Sequence, residues 1–417
     1  MGHIRRLIRY FLVVIAAAII ATVLLWLCFL IPNKRIEEHI SEEKAFFTEW
    51  QPSEYLIPGV KSTYLNNYTD GVMLNISVCD AGTHSAINRA MSIYEYVGTT
   101  EFNAFVDYCR GDDTLSISTY SRYWTGYLIL LRPLLCFFTY HEIIIINTVF
   151  QILLVIMIMI LLLKSTISKY TPAFVTAFLL MMPLTWGMSL GYSLVINVLL
   201  IETILLLFLK NKGKQLDYGW FFLVVGIVTC FVDYLTFPLV TITYGVILAL
   251  ILDVPDSKKK AFTFSIDCGI SWLFGYIAMW GMKWVFATII LGENVIREAA
   301  GFIIFRTSAS DVQSNPVSRL EALCDNIRVI TDPVSMIIIA IGILVIGFIC
   351  LKKKSKRKNN DMLIIWGLLT IIPILWLLFK ANHSYIHSWM TYKELTASIL
   401  AILCGVIYYF TDEDRSI

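Results

Sequence analysis

The chain has 417 residues, of which 58% are hydrophobic and only 15% are charged. A soluble domain of ordinary composition carries about 25% charged residues, so a chain this long with a mean hydropathy of +0.71 must place much of its surface in lipid. These figures exclude a cytosolic enzyme, a nucleic-acid-binding module and a disordered scaffold. The 33 Lys and Arg against 31 Asp and Glu leave a net charge of +2, which indicates no polyanionic partner.

Ten apolar stretches are long enough, or nearly so, to cross the bilayer core, which takes about 20 residues per helix. They cover approximately residues 7–31, 141–163, 171–190, 192–209, 218–236, 238–252, 262–291, 334–351, 361–379 and 392–410. The first follows a basic start and has no small-residue cleavage site after it, which favours a retained anchor over a signal peptide. We therefore predict an all-α integral membrane protein of about ten transmembrane helices, with residues 1–417 forming a single polytopic domain.

The Lys and Arg residues of the short loops predict the orientation, because positively charged segments resist translocation. If the N-terminus is cytoplasmic, the inner loops carry fourteen of these residues, six of them in a basic run at 352–358. The short outer turns carry only Lys380 and Lys393. We therefore expect both termini in the cytoplasm. The basic run is interpreted as an orientation signal, with binding of anionic membrane lipids as a secondary role.

Two long segments, residues 32–123 and 292–333, are then expected on the extracytoplasmic side. In the first, the stretches 83–97 and 100–110 have the apolar periodicity of amphipathic helices, which we expect at the outer leaflet. Residues 124–138 predict a further interfacial or re-entrant helix, because their aromatic side chains suit the headgroup zone. A function other than transport would be located in these outer segments.

The nine cysteines have no paired spacing such as C-x-x-C, so they indicate no zinc or haem framework. Cys79 and Cys109 are expected on the outer side. A disulfide between them and two free thiols are both compatible with the sequence, since spacing alone does not fix the Cα separation.

Ionisable groups at membrane depth are costly unless they face a cavity or a partner, so each suggests a functional site. Lys283, in the outer third of the predicted span 262–291, has the chemistry to bind a lipid phosphate. Snorkelling toward the headgroups or pairing with a carboxylate is the equal alternative. Asp233 precedes a turn at Pro238 and is interpreted either as a ligand for substrate or as an ordinary turn carboxylate.

Asp70 lies in the sequence YTDGVMLN, about 40 residues after the first span. Met73 and Leu74 are expected to enter the membrane interface and so to place the Asp70 carboxylate at the membrane edge. Taken alone, the pair of Asp70 and Gly71 more often marks a turn. The prediction that Asp70 is a functional carboxylate therefore depends on the expected insertion of Met73 and Leu74 into the membrane interface.

The last outer turn, KANHSYIHSWMTYKEL, contains His383 and His387, which share one face if the turn is helical. Such a pair begins a metal site, but zinc needs a third and usually a fourth ligand, and none is near in sequence. A cluster of hydrogen-bond donors for an anion fits better. It would combine the two histidines with Lys380, Tyr392 and Lys393, and with Arg122 and Arg132 from the outer segment.

Several stretches of this sequence resemble stretches found in the GT-C superfamily of integral-membrane glycosyltransferases, and specifically in its uncharacterised bacterial members. The resemblance is carried by YTDGVMLN, RYWTGYLILLRPLLCFF, FVDYLTFPLVT, GYIAMWGMKW and NHSYIHSWMTYKEL, which together touch most of the chain. It implies a GT-C-like fold in the bacterial cytoplasmic membrane, with an extracytoplasmic active site. Better-studied members often have a paired acidic motif in the first outer loop. Here Asp70 is followed by Gly71, so a second acid must come from elsewhere, and the use of a divalent cation is left open.

The resemblance implies transfer of a sugar from a polyprenyl-phosphate-linked donor to a glycan, lipid or protein acceptor. Such a reaction needs positive charge at the departing phosphate and a base for the acceptor hydroxyl. Asp70 is the predicted base. The predicted substrate-binding residues are Asp233, Lys283, Arg122, Arg132, His383, His387, Tyr392 and Lys393. The alternatives are a polytopic transporter, a lipid-linked glycan flippase, a glycan polymerase or ligase, and a non-catalytic scaffold.

Overall fold

The computed structural model describes residues 2–82, 84–253, 255, 257–308, 310, 315–352 and 361–411. Nearly all regular structure in these residues is helical, as the composition predicts. All of the basic run at 352–358 except Lys352 lies outside the described residues. The helices are α1 Gly2–Cys28, α2 Asn33–Glu42, α3 Lys44–Thr48, α4 Asn67–Val78, α5 Ala86–Ser92, α6 Glu101–Arg110, α7 Leu128–Leu135, α8 Tyr140–Leu163, α9 Thr171–Leu180, α10 Pro183–Met188, α11 Leu190–Asn211, α12 Tyr218–Val232, α13 Leu239–Leu252, α14 Lys258–Leu291, α15 Val295–Thr307, α16 Arg319–Ile330, α17 Pro333–Lys352, α18 Asp361–Phe379, α19 Ala381–Ile386, α20 Ser388–Thr391 and α21 Leu395–Phe410.

Seven helical segments among the described residues are long and apolar enough to cross a membrane. They are Ile4–Cys28, Tyr140–Leu163, Leu190–Asn211, Lys258–Leu291, Pro333–Lys352, Met362–Phe379 and Ser388–Phe410. The protein is therefore embedded in a membrane as a multi-pass protein. The other three predicted spans are shorter here: α12 and α13 have 15 and 14 residues. The stretch 171–190 is divided into α9 and α10 at Met182, whose φ is +57°.

The segment between α1 and α8 contains short helices and two small antiparallel sheets. In the first sheet β1 (Glu54–Tyr55) pairs with β2 (Tyr64–Leu65). In the second, β3 (Tyr94–Val97) pairs with β4 (Ser116–Thr119), with Tyr94 opposite Thr119. The helix predicted over 83–97 is therefore wrong in its second half: α5 ends at Ser92, and β3 forms because a strand partner lies about 20 residues further on. The predicted helix at 100–110 is confirmed as α6.

Helices α1 and α14 run in the same direction and meet this segment at their C-terminal ends. Near their other ends, Arg6 forms an ion pair with Asp267 at 2.9 Å, and Tyr10 hydrogen-bonds to Ser271 at 3.2 Å. At the far end, Lys283 of α14 donates hydrogen bonds to the segment between α1 and α8. In the other direction, Trp124 of that segment donates a hydrogen bond to the carbonyl of Met279 of α14 at 2.8 Å. We call this far end of the helix bundle the loop end.

The closest helix packing in the molecule joins α12 to α14. Gly226 of α12 lies against the backbone of Trp272, so that a Cβ atom at residue 226 would collide with the Trp272 carbonyl oxygen. Gly275 of α14 lies in the same way against the carbonyl oxygen of Leu223. Two glycines therefore let the helix backbones touch, and the contact fixes the rotation of α14 about its axis.

Candidate functional site

A long groove follows α14 on the face that carries four aromatic residues spaced four apart. Trp272, Tyr276, Trp280 and Trp284 share this face because residues four apart lie above one another on a helix. The facing wall comes from α18, chiefly through Trp376, and from α15. We call this feature the α14 groove.

The α14 groove consists of two adjoining cavities of about 470 and about 440 Å³. Both are lined by Trp272, Leu273 and Trp376, so one continues into the other. The cavity away from the loop end is almost entirely apolar, with walls that include Ile242, Phe262, Ile266, Leu368 and Ile372. This half of the groove therefore has the surface of a binding site for a hydrocarbon chain.

The cavity at the loop end is lined by three cationic side chains, Arg122, Arg306 and Lys380. Arg122 forms an ion pair with Glu298 at 3.1 Å, and its guanidinium lies 4.0 Å from the ring centre of Phe302. Positive charge at one end of an apolar groove matches a ligand with an anionic head and a hydrocarbon tail.

Arg306 and Lys380 differ in how much of their charge is already neutralised. Lys380 is buried and pairs with the buried carboxylate of Glu394 at 3.5 Å. Burial lowers the pKa of Lys380, and the charge on Glu394 opposes this effect. Arg306 forms no ion pair within the described residues and lies 4.9 Å from the ring centre of Phe302. Of the three cations of this cavity, Arg306 is therefore the one whose charge is least neutralised by the described residues around it.

Asp233 is a predicted site carboxylate that the structure brings next to this cavity. Its Oδ1 accepts hydrogen bonds from the backbone and hydroxyl of Thr236, at 2.8 and 2.6 Å. Its Oδ2 accepts a longer one, at 3.2 Å, from Tyr276, which lines the α14 groove. Burial raises the pKa of Asp233, while the contacts with Thr236 and the charge on Lys380 lower it. Both interpretations from the sequence fit, since Asp233 organises the turn and lies beside the cavity.

His383 and His387 lie close together, with ring centres 4.7 Å apart, as their spacing predicts. Burial and the positive charges of Arg306 and Lys380 lower the pKa of His387 to about 3, and that of His383 is lowered well below its usual range. Both rings are therefore neutral at physiological pH. They provide hydrogen-bonding groups near Lys380 but add no positive charge for an anion.

Asp70 lies in the first turn of helix α4 rather than in a loop turn, and it is fully buried. Its Oδ1 accepts a hydrogen bond from the amide of Gly191 at 2.7 Å. Its Oδ2 accepts hydrogen bonds from the amide of Leu190 at 2.8 Å and the hydroxyl of Tyr140 at 2.7 Å. Asp70 therefore satisfies the free amides at the start of α11, where a negative charge is favourable.

Three other predicted ligands are buried with their cationic groups directed to backbone carbonyl oxygens. Arg132 donates hydrogen bonds to the carbonyls of residues 28, 31 and 77 and to the side chain of Asn33. Lys283 donates to the carbonyls of residues 90 and 91, at the end of α5. Lys393 donates to the carbonyl of residue 181 at 3.0 Å. None of the three lines the α14 groove.

Tyr392 also lies away from the groove, since its hydroxyl donates to the carbonyl of Ser62 at 3.1 Å. Among the predicted site residues, the structure thus brings Arg122, Asp233, His383 and His387 to the neighbourhood of the groove and leaves the rest in the bundle interior. Cys79 and Cys109 are both buried free thiols, so the disulfide alternative does not hold in this structure. Within the described part of the chain, no three His, Cys, Asp or Glu side chains gather as a metal site.

The sequence reasoning missed Arg306 as a site residue; it placed Lys380 in the donor cluster for an anion but not among the predicted substrate-binding residues. A signal for Arg306 was present, because it follows the apolar stretch 299–305 and lies four residues after Phe302, so that the two share a helix face. The four aromatic residues spaced along α14 were a second signal. Compared with known proteins, the chain matches no protein-family description, no curated protein and no solved structure.

Proposed function

We propose that this protein is a membrane glycosyltransferase that moves a sugar from a polyprenyl-phosphate-linked donor to a glycan, lipid or protein acceptor. The observation that supports the proposal best is the α14 groove, which combines three cationic side chains at its loop end with a continuous apolar floor. A phosphate attached to one long hydrocarbon chain is complementary to both parts.

The length of the α14 groove suits a long lipid chain. Its walls include Phe262 near one end of α14 and Trp284 near the other, 22 residues apart. At a rise of 1.5 Å per residue this separation is about 33 Å along the helix. The hydrocarbon core of a bilayer is about 30 Å thick. A polyprenyl chain would therefore lie against α14 over most of the membrane, with its phosphate at Arg306 and Lys380.

In the proposed reaction, the acceptor hydroxyl oxygen forms a bond to the anomeric carbon as the bond from that carbon to the phosphate oxygen breaks. The electron pair leaves with the phosphate, whose charge Arg306, Lys380 and Arg122 stabilise. A carboxylate takes the acceptor proton. Because the carboxylate acts as a base and not as a nucleophile, the anomeric centre is inverted, by analogy with inverting glycosidases.

We propose Asp233 as this base, because it lies beside the cavity and burial raises its pKa toward the working pH. Asp70, the base that the sequence favours, is the alternative. Burial raises the pKa of Asp70 to about 7, which also suits a base. We prefer Asp233 because Tyr276, which donates a hydrogen bond to it, lines the α14 groove, whereas the groups that donate to Asp70 belong to α8 and α11 and do not line the groove.

The position of the cationic cavity fits an extracytoplasmic reaction. It lies at the loop end, where α14 ends, and the distribution of Lys and Arg predicts that this end faces out of the cytoplasm. A flippase would share the lipid substrate but would transfer no sugar. A glycan polymerase or ligase would favour a pyrophosphate-linked donor. Both rivals are therefore distinguished by one transfer assay.

The test is sugar transfer by the purified full chain in lipid nanodiscs. Radiolabelled polyprenyl-phosphate sugars and their pyrophosphate-linked counterparts are supplied in parallel, with and without Mg²⁺ and a chelator. We expect transfer from the monophosphate donor, loss of transfer in Asp233→Asn and retained transfer in Asp70→Asn. Loss in Asp70→Asn alone, with the variant still folded, would assign the base to Asp70. Absence of transfer from every donor would contradict the proposed function.

A further inference from the structure

Glu95 is a buried carboxyl group in the segment before α7 that the proposed reaction leaves without a role. It lies in β3 with only 7% of its surface exposed. Within the described residues, its Oε2 atom has no hydrogen-bond partner. A buried polar atom without a partner is costly, because it has lost its hydrogen bonds to water and gained none. The position therefore has the character of a binding site that awaits a ligand.

Tyrosine residues lie near Glu95. Glu95 pairs with Ser118 of β4, two residues before Tyr120, and the Tyr120 amide donates a hydrogen bond to the carbonyl of Ile93 at 2.8 Å. Tyr234 is 6.1 Å from Tyr120 and 5.2 Å from Tyr127, measured between ring centres, and the hydroxyls of Tyr127 and Tyr234 hydrogen-bond to each other. Burial raises the pKa of all three hydroxyls, and the nearby charge on Glu95 raises it further. Three tyrosine rings thus pack together in the neighbourhood of the unsatisfied Glu95 carboxyl group.

This cluster adjoins the cationic cavity through Arg122. The Arg122 guanidinium lies 4.2 Å from the ring centre of Tyr120 and also lines the α14 groove. Tyr234 directly follows Asp233 in the chain. A group attached to a phosphate at the loop end of the groove would therefore lie near both Tyr120 and the chain at Asp233 and Tyr234.

We propose that Glu95, together with the rings of Tyr120 and Tyr234, binds the sugar of the lipid-linked substrate through its hydroxyl groups. The inference rests on the proposed function, because it assumes that the lipid phosphate occupies the α14 groove. A sugar offers O–H groups as donors and acceptors and a C–H face that packs on an aromatic ring. Glu95 would thus contribute to the preference for a sugar-carrying lipid phosphate over the bare one, and not to the binding of the bare lipid.

A hydroxyl fits this place better than a cation does. Arg122 already supplies positive charge to the Tyr120 ring. Burial and the charge on Glu101 also raise the pKa of Glu95 to about 7, while Arg122 lowers it, so the neutral carboxyl form is populated near physiological pH. A neutral carboxyl group donates one hydrogen bond and accepts others, which matches an O–H group. A metal ion would require the ionised form.

The test compares the binding of bare undecaprenyl phosphate with that of undecaprenyl phosphate carrying glucose, galactose or N-acetylglucosamine. The full chain in nanodiscs is titrated with each lipid and followed by tryptophan fluorescence, since four tryptophans line the α14 groove. The variant is Glu95→Met, which removes the carboxyl group at similar size. Glu54→Met is the matched control, because Glu54 is an exposed glutamate on a strand and does not line the α14 groove.

We expect at least one sugar to tighten binding to the wild-type protein by about tenfold, the equivalent of one added hydrogen bond to a buried group. Glu95→Met should abolish this gain, leave the Kd of the bare lipid unchanged and unfold at the same or a higher temperature. Glu95→Gln should restore part of the gain, and Glu54→Met should keep all of it.

The outcomes separate this inference from the proposed function. If bare undecaprenyl phosphate does not bind the wild-type protein, the proposed function fails at the groove itself. If the bare lipid binds but no sugar tightens binding, the inference about Glu95 fails alone. The inference also fails if Glu95→Met keeps the gain, or if Glu54→Met loses it to the same degree.

Discussion

Replacing Arg306 by Gln would test the most direct consequence of the α14 groove. Arg306 lies in the wall of the cationic cavity, and within the described residues it forms no ion pair. Removing its charge therefore leaves no carboxylate of the described residues without an ion-pair partner, unlike the removal of Arg122 or Lys380. We expect the free energy of unfolding to stay within about 0.5 kcal/mol of the wild-type value.

The expected loss of affinity follows from the contact that the guanidinium would make with a phosphate. A hydrogen bond to a charged group contributes about 1.5 to 3 kcal/mol. Since about 1.4 kcal/mol corresponds to a factor of ten, the Kd for a polyprenyl phosphate should rise by roughly 10- to 150-fold. The Kd for the uncharged polyprenol should not change, because the tail lies against α14 and α18.

The assay is equilibrium binding of both lipids to the protein in nanodiscs at fixed, low ionic strength. Arg297→Gln is the matched control, because Arg297 is exposed on the same helix and does not line the groove. Equal Kd values for Arg306→Gln and the wild-type protein would refute the assignment of the phosphate to this cavity. An equal loss in Arg297→Gln would show that only the general charge of α15 matters.

Three further predictions concern residues that the structure places away from the groove. Because burial raises the pKa of Asp70 to about 7, its carboxyl group binds a proton on folding. Its contribution to stability is complete below about pH 4 and is lost as the pH rises through 7. The free energy of unfolding of Asp70→Asn relative to wild type, measured by thermal unfolding in detergent, should therefore rise by about 3 kcal/mol from pH 5 to pH 8. A difference that is independent of pH would contradict this. Gly226→Ala should lower the free energy of unfolding by about 1 to 3 kcal/mol, because its Cβ collides with the backbone of α14, whereas Gly281→Ala, in open space on α14, should not lower it. Arg132→Met should lower the unfolding temperature by the equivalent of about 3 to 5 kcal/mol, because it leaves several buried oxygens without a donor, and an unchanged temperature would exclude this role.

The membrane character of the fold could be predicted because it depends on local composition. Each of the seven long spans corresponds to an apolar stretch visible in the sequence. The stretch 171–190 shows the limit of such reasoning. It is apolar throughout, yet the backbone breaks at Met182, and Lys393, more than 200 residues away, donates a hydrogen bond to the carbonyl of Met181 at the break. A count of ten spans therefore stays a prediction.

The site was harder to predict, because a buried charge does not reveal its partner. Lys283 and Arg132 were expected to bind a phosphate, and both instead bind backbone carbonyl oxygens of distant segments. Arg306 was not predicted as a site residue, because it lies in a predicted outer segment where charged residues are ordinary, and yet it lines the groove. Which cations face the α14 groove is determined by the packing of α14, α15 and α18, and no local pattern in the sequence encodes that packing.

The hydrogen bonds of Lys283 have a consequence for the order in which the protein assembles. Its ammonium group is buried within the bundle, and its hydrogen-bond acceptors are the carbonyls of Ala90 and Met91, up to 193 residues earlier in the chain. The segment that carries those carbonyls is synthesised before α14. Until the two meet, the ammonium group of Lys283 lacks these acceptors. We therefore expect α14 to reach its final position only after the earlier segment has been inserted beside it.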